Sequence, residues 1–321
     1  MRGVTPMADG TLAQAGEFAV IDRLVAGRRQ PPFVAVGPGD DAAVVTSGDG
    51  RVAVSTDMLV EGRHFRLDWS APQDVGRKAI AQNAADIEAM GGSATAFVVA
   101  FGAPPDTETA RAVELADGMW QEASRLGAGI VGGDMVAAPQ WVISVTVLGD
   151  LGGRPPVLRG GAGAGDVVAV AGDLGRSAAG YALWRNGIDD FEPLRRRHLV
   201  PEPPYGQGAI AARAGATAMT DVSDGLLADL GHIAAASAVH IDVALAGLAA
   251  DVGAVAAAAA VAGVDALQWV LGGGEDHALV ATFTAEPPPG WRIIGRVREA
   301  GAGRVTVDGG PWAGSTGWQS Y

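Results

Sequence analysis

The sequence predicts a two-domain chain built of α/β or α+β layers. Three observations carry that expectation. The chain has 321 residues, long for one compact domain and comfortable for two. Strand-like and helix-like hydrophobic patterns alternate through both halves. Between Gly149 and Gly165 the sequence is dense in glycine and proline, which separates the two halves. The expected organisation is a flexible tail over residues 1–15, an N-terminal domain over 16–150 and a C-terminal domain over 151–321.

Each element rests on a local pattern. Phe18, Ile21, Leu24 and Val25 have helical spacing, which predicts a helix over Gly16–Ala26. Val52–Ser55 lies in a β-rich alternating run expected to stop at Thr56-Asp57. Pro72 near the start and Gly91-Gly92 at the end bound a helix from Pro72 to Met90. Ala96–Phe101 reads as a buried strand, Thr107–Leu126 as a helix closed by Gly127, and Gly129–Val131 and Trp141–Leu148 as strands. In the second half, strands are expected at Asp166–Ala171, Thr217–Thr220, His277–Phe283 and Trp291–Val297. Helices are expected at Ser177–Trp184 and Leu226–Ser237, and Arg195–Tyr205 reads as a loop-like connection.

Composition narrows the function. The 48 glycines are about twice the usual ~7% and predict a loop-rich functional face. A formal net charge of −13 lacks the basic footprint of nucleic-acid binding. It also repels anionic phosphates unless divalent cations bridge them to carboxylates. Acidity as a plain solubility feature explains the same charge. The absence of cysteine excludes disulfides, zinc-thiolate and iron–sulfur sites and thiol catalysis. No apolar signal core follows Arg2, and the longest apolar tract, Ala254–Val264, is shorter than the ~20 residues a bilayer span needs. A soluble, cytoplasmic protein with no nucleic-acid or membrane partner is expected.

Common nucleotide motifs are missing. There is no G-x-x-x-x-G-K-[ST], no well-placed G-x-G-x-x-G and no protein-kinase set, and Lys78 is the only lysine. Acidic residues at strand ends and glycine turns stand in their place. Asp40 and Asp41 project from a glycine turn, where an acidic surface turn explains them as well. Ser55-Thr56-Asp57 could turn hydroxyls and a carboxylate towards one magnesium, or act as a cap. Asp86 sits inside a helix, a poor interior position for Asp, so it needs a partner or solvent. Gly132-Gly133-Asp134 lets the backbone approach a phosphate, or forms a hairpin. Asp221 ends a strand and Asp224 stands at a helix start, a place suited both to phosphate and to simple capping. Gly272-Gly273-Gly274-Glu275-Asp276-His277 presents two acids before a strand. Six such signals in one chain point to metal and nucleotide phosphates.

The stretches at 37–45 (GPGDDAAVV), 55–65 (STDMLVEGRHF), 83–92 (NAADIEAMGG), 131–135 (VGGDM), 221–233 (DVSDGLLADLGHI) and 271–279 (LGGGEDHAL) resemble the thiamine-monophosphate kinases. Those enzymes belong to the superfamily named for aminoimidazole ribonucleotide synthetase. The motifs run in family order across residues 16–321. The resemblance implies a two-domain fold: an N-terminal sheet domain used for homodimerisation and a C-terminal α/β domain closing over the nucleotide. It implies ATP-dependent phosphorylation of thiamine monophosphate with several Mg2+ ions. It also implies metal ligation by Asp40, Ser55, Thr56, Asp57, Asp86, Asp134, Asp221 and Asp224. ATP contacts would come from Gly133, Asp134, Arg159 and Ser223, and substrate contacts from His64, Glu275 and Trp318.

A phosphate acceptor attacks already ionised, so positioning and charge neutralisation suffice and no residue is assigned as a general base. Two departures fall on the substrate side. The family's usual Gly-Gly-Glu-Asp-Tyr-Glu continues here as His277-Ala278, and its Gly-Trp-Asp-His-Phe end is Gly317-Trp318-Gln319-Ser320-Tyr321. Among rivals, selenophosphate synthetase and the hydrogenase-maturation relative rely on a cysteine or selenocysteine that this chain lacks. Aminoimidazole ribonucleotide synthetase fits the 55–65 and 221–233 motifs less well. A catalytically silent nucleotide-binding relative would not need every acid.

Overall fold

The computed structural model describes residues 10–37, 43–299 and 304–318. The described chain forms two compact units. One takes residues up to Thr46 together with 56–80 and 96–146; the other takes 47–55, 81–95 and 147 onward. Segments 47–55 and 81–95 thus pack with the later residues.

Of the expected N-terminal tail, Leu12–Ala15 is a short helix, α1. A capping box closes it: the Thr11 hydroxyl accepts the Gln14 N–H (3.3 Å), and Gln14 Oε1 accepts the Thr11 N–H (3.0 Å). Helix α2 covers Glu17–Val25, and β1 (Val34–Val36) pairs antiparallel with β2 (Val44–Val45). Next come β3 (Ala53–Val60), α3 (Pro72–Ala89), β4 (Ser93–Ala103), α4 (Thr109–Arg125), β5 (Gly129–Ala137) and β6 (Val142–Asp150). The sheet order is β3-β6-β4-β5, with β4 and β5 parallel. Strand β6 shows the period-two signature: Ile143 and Val145 are fully buried, while their neighbours are half-exposed.

Two strands outrun the sequence expectation. Strand β3 does not stop at Thr56-Asp57 but continues to Val60. Strand β5 runs through Gly132-Gly133-Asp134, because its ladder with β4 is unbroken from Gly132 to Ala137. A Cβ on Gly133 would lie 2.0 Å from the Val99 carbonyl oxygen. Gly133 is therefore required by strand contact, whatever else it does.

The second unit holds β7 (Val167–Ala171), α5 (Arg176–Arg185), α6 (Glu192–Leu199), α7 (Gln207–Arg213), β8 (Ala218–Val222), α8 (Leu226–Ser237) and β9 (His240–Val243). A 3-10 turn (Leu245–Leu248) leads into α9 (Ala249–Ala262), followed by α10 (Ala266–Gly272), β10 (Ala278–Phe283), β11 (Arg292–Arg298) and β12 (Val305–Val307). Its six strands lie in the order β12-β9-β11-β7-β10-β8, antiparallel except for β12 beside β9. Strands β7, β8 and β10 are buried at every position, so both faces of the sheet are covered. Val168, Val170 and Val280 meet Leu226, Leu230 and Ile233 in one core, and Ala169, Leu279 and Phe283 meet Met219 and Trp291 in another.

The loop expected over Arg195–Tyr205 is helical in its first part. Pro193 sits in the first turn of α6 and Arg196, Arg197 and His198 in its last, an arrangement suited to both helix ends. Leu194, His198 and Leu199 form its buried side. The apolar tract is also longer than read from sequence. Leu245–Ala262 is an 18-residue helical stretch, long and apolar enough by composition to span a bilayer. Here it buries Leu248, Val255, Ala258 and Ala259 in the core, and Asp251 within it pairs with Arg292 (2.6 Å).

Candidate functional site

Asp40 lies outside the described residues. The alternation of β3 divides the next triplet. Ser55 and Asp57 are half-buried on one strand face, while Thr56 is exposed on the other. The Thr56 hydroxyl donates to the Val145 carbonyl (3.0 Å) and accepts from the Thr146 hydroxyl (3.2 Å). The side chains of all three do not converge, so Thr56 could serve a shared ion only through its main-chain carbonyl. Ser55 donates to Asp86 Oδ2 at 2.6 Å, which brings two of the expected ligands together and gives the intrahelical Asp86 its partner.

Asp134 is exposed on β5, and one carboxylate oxygen accepts the Met135 N–H (2.9 Å). Nothing stands within 4 Å of a Cβ placed on Gly132, so Gly132, not Gly133, is the glycine facing open space. His64 is exposed, and its Nδ1 accepts the Val60 N–H (3.0 Å). Lys78 is buried and donates to the His64 carbonyl (2.9 Å), which takes the chain's only lysine out of phosphate binding.

In the second unit the end of β8, the turn before β10 and the C-terminal segment converge. The Ser223 carbonyl accepts the Glu275 N–H (2.7 Å), and the Val222 carbonyl accepts the His277 N–H (2.9 Å). The Asp224 carbonyl accepts the Trp318 N–H (2.9 Å), leaving the Trp318 ring 62% exposed. Asp221, Ser223, Asp224, Glu275 and Trp318 are thereby tied into one neighbourhood. Asp221 is buried, with Oδ2 3.1 Å from Nδ1 of His277, at the position where this chain departs from the family pattern.

Asp224 does not cap α8. Asp229, one turn into the helix, accepts the N–H groups of Asp224 (3.1 Å) and Gly225 (3.0 Å) on a single oxygen. The Asp224 carboxylate is left for other work. Burial raises its proton affinity; Asp221 adds to the rise, while His232, Arg159 and His277 oppose it. Burial, then Asp221 and Asp224, push Asp229 up to about 7. Asp224, Asp229 and His232 place their ligand atoms within 4.8 Å of one another. The sequence assigns no role to Asp229 or His232, and His277 stands out in it only as a departure from the family pattern. The available signal was a second Asp inside α8 with a His one turn further on. Arg159 is exposed, and its charge reaches Asp224.

Asp221, Asp224 and Asp229 are carboxylate oxygen donors crowded into one neighbourhood, with His232 a nitrogen donor beside them. That donor chemistry suits a hard divalent cation, and the raised proton affinities mark charge that such a cation would relieve.

Residues 39–151 match the family described as AIR synthase related protein, N-terminal domain, and residues 163–308 match its C-terminal domain. The chain is 70% identical to a thiamine-monophosphate kinase of Mycobacterium tuberculosis, over 97% of this chain and 93% of that one. It is 43% identical to a thiamine-monophosphate kinase of Corynebacterium glutamicum, over 98% and 96%. Among solved structures, AaThiL complexed with AMPPCP and TMP superposes with a TM-score of 0.77 at 30% identity, covering 99% of this chain and 100% of that one.

Proposed function

Because the chain belongs to the AIR synthase related family and, within it, to the thiamine-monophosphate kinases, we propose that it transfers the γ-phosphoryl group of ATP to thiamine monophosphate, giving thiamine diphosphate and ADP. One observation carries the reading: 70% identity to such a kinase persists over 97% of the chain. A neighbour of the same fold, complexed with AMPPCP and TMP, supports the two substrates.

Asp40, Ser55, Thr56, Asp57, Asp86, Asp134, Asp221 and Asp224 are the proposed holders of several Mg2+ ions, Thr56 through its main chain. Bound Mg2+ would neutralise phosphate charge that a chain of net charge −13 otherwise repels. Arg159, Ser223, Gly133 and Asp134 are assigned to ATP, and His64, Glu275 and Trp318 to the substrate. The exposed Trp318 ring is free to stack, and the Glu275 backbone is fixed by Ser223. The attacking phosphate oxygen arrives ionised, so the residues orient and screen without taking a proton. Transfer is direct, with no phosphoenzyme.

The domain boundary is proposed near residue 150, supported by the gap between the family matches at 151 and 163. A homodimer through the N-terminal sheet is also proposed. Its support is the exposure of Met58, Val98 and Val136 on strands of that sheet, at 53%, 38% and 59%. A cytoplasmic location, without nucleic-acid or membrane partners, completes the proposal.

The test is incubation of purified protein with ATP, Mg2+ and thiamine monophosphate, followed by chromatography. Thiamine diphosphate should form and should vanish with a chelator. ADP-stabilised folding without product would support a silent nucleotide-binding relative instead.

A further inference from the structure

Helices α5 and α6 approach at backbone distance through Gly180, where a Cβ would lie 2.2 Å from the Leu194 carbonyl oxygen and 2.9 Å from the His198 Cβ. That approach seats His198, 8% exposed, beside the N-terminal turn of α5. Its Nδ1 lies 3.2 Å from the Ser177 hydroxyl and 3.4 Å from Glu275 Oε2, and the Tyr181 ring packs 5.3 Å from the imidazole.

The backbone around Glu275 is fixed from both sides. Glu275 has φ +62°, a left-handed conformation that costs a non-glycine residue and persists only where its surroundings impose it. Its own N–H is held by Ser223. The next residue, Asp276, is buried and accepts the N–H groups of Gly175 (2.5 Å) and Ser177 (2.8 Å) at the start of α5. The main chain is pinned, and one oxygen of the Glu275 carboxylate faces His198.

A carboxylate only accepts, so a favourable contact puts the proton on His198 Nδ1. Ser177 and Glu275 meet the same ring nitrogen. A nucleophilic triad needs the hydroxyl and the acid on opposite nitrogens, so this cluster is no hydrolytic relay. It is a brace.

We propose that His198, steadied by Ser177, is a positioning residue that aims the Glu275 carboxylate at the cationic, amine-bearing thiamine moiety of the substrate. This rests on the assignment of Glu275 to the substrate side. Acting through Glu275, His198 should influence binding of thiamine monophosphate and not of ATP.

Steady-state kinetics on the full chain, with each substrate varied in turn, test this. His198→Leu should raise KM for thiamine monophosphate about tenfold, the scale of one hydrogen bond to a charged group. KM for ATP should stay within about twofold. His198→Asn, which keeps an N–H near the Nδ1 position, should restore most of the loss. In a Glu275→Gln background, His198→Leu should add little, since both act on one contact. If His198→Leu does not fold, Ser177→Ala reads the same brace and should raise the same KM alone. The proposal is overturned if Glu275→Gln raises that KM while the His198 and Ser177 variants leave it at the wild-type value. It is equally overturned if they shift both substrates alike, or if the effects multiply in the double variant. A Glu275→Gln variant with unchanged KM would remove the substrate assignment itself, and the brace with it.

Discussion

Replacing Asp229 by Asn should make the metal-free protein markedly more stable at alkaline pH and much less so at pH 5. Asp229 is 2% exposed and lies beside two other carboxylates, and it is pushed up to about 7 from an ordinary 3.8. At ~1.4 kcal/mol per pH unit, that interval corresponds to roughly 4 kcal/mol at its upper limit. The direction follows from proton binding. The folded state holds the proton more tightly than the unfolded state. This contribution is therefore full below about pH 4 and is lost as pH rises towards about 7. Asn carries no such charge, and its amide oxygen can accept both N–H groups that Asp229 accepts on one oxygen. The variant should gain about 2–4 kcal/mol at pH 8 and about 1 kcal/mol at pH 5. Urea denaturation without Mg2+ at the two pH values measures both. A gain equal at the two values, or a variant less stable at pH 8, would refute the argument that charge burial governs this helix start. The same substitution should weaken the stabilisation that added Mg2+ gives, because it removes negative charge beside Asp224.

Other outcomes follow from the same geometry. Asp57→Asn should abolish turnover while leaving the denaturation midpoint near wild type; near-normal turnover would sink the shared-metal assignment. Gly133→Ala should cost about 1–3 kcal/mol in urea denaturation, since its methyl meets the Val99 carbonyl at 2.0 Å; an unchanged midpoint would show that β4 and β5 yield easily. Met58→Asp, on the exposed sheet face, should shift sedimentation from dimer to monomer without changing the circular dichroism of the fold. A dimer that survives it would place the association elsewhere.

The sequence reveals strongly periodic elements and obscures those shaped by contacts distant in the chain. Leu226–Ser237 was readable from its hydrophobic pattern and coincides with α8. Strands β3 and β5 were cut short because polar and glycine residues look like strand ends, while the ladder between strands carries them onward. His198 looked like part of a loop because Val200-Pro201 follows it, yet the buried side of α6 outweighs that local signal. The acids Asp221 and Asp224 were legible from their place between strand and helix. Asp229 was not, because an Asp inside a helix pattern gives no sign that it reaches back to cap the helix and leave Asp224 unoccupied. Gly133 stands out in the sequence as a glycine beside a possible phosphate, whereas the contact that requires its missing Cβ is with the neighbouring strand at Val99.

The most direct test of direct transfer to thiamine monophosphate is a rapid-quench reaction with ATP labelled at the γ-phosphate. Wild-type protein, Mg2+ and thiamine monophosphate should put the label into thiamine diphosphate from the first turnover, with none retained on the protein. Label held on the protein, or released only as inorganic phosphate, would contradict the account.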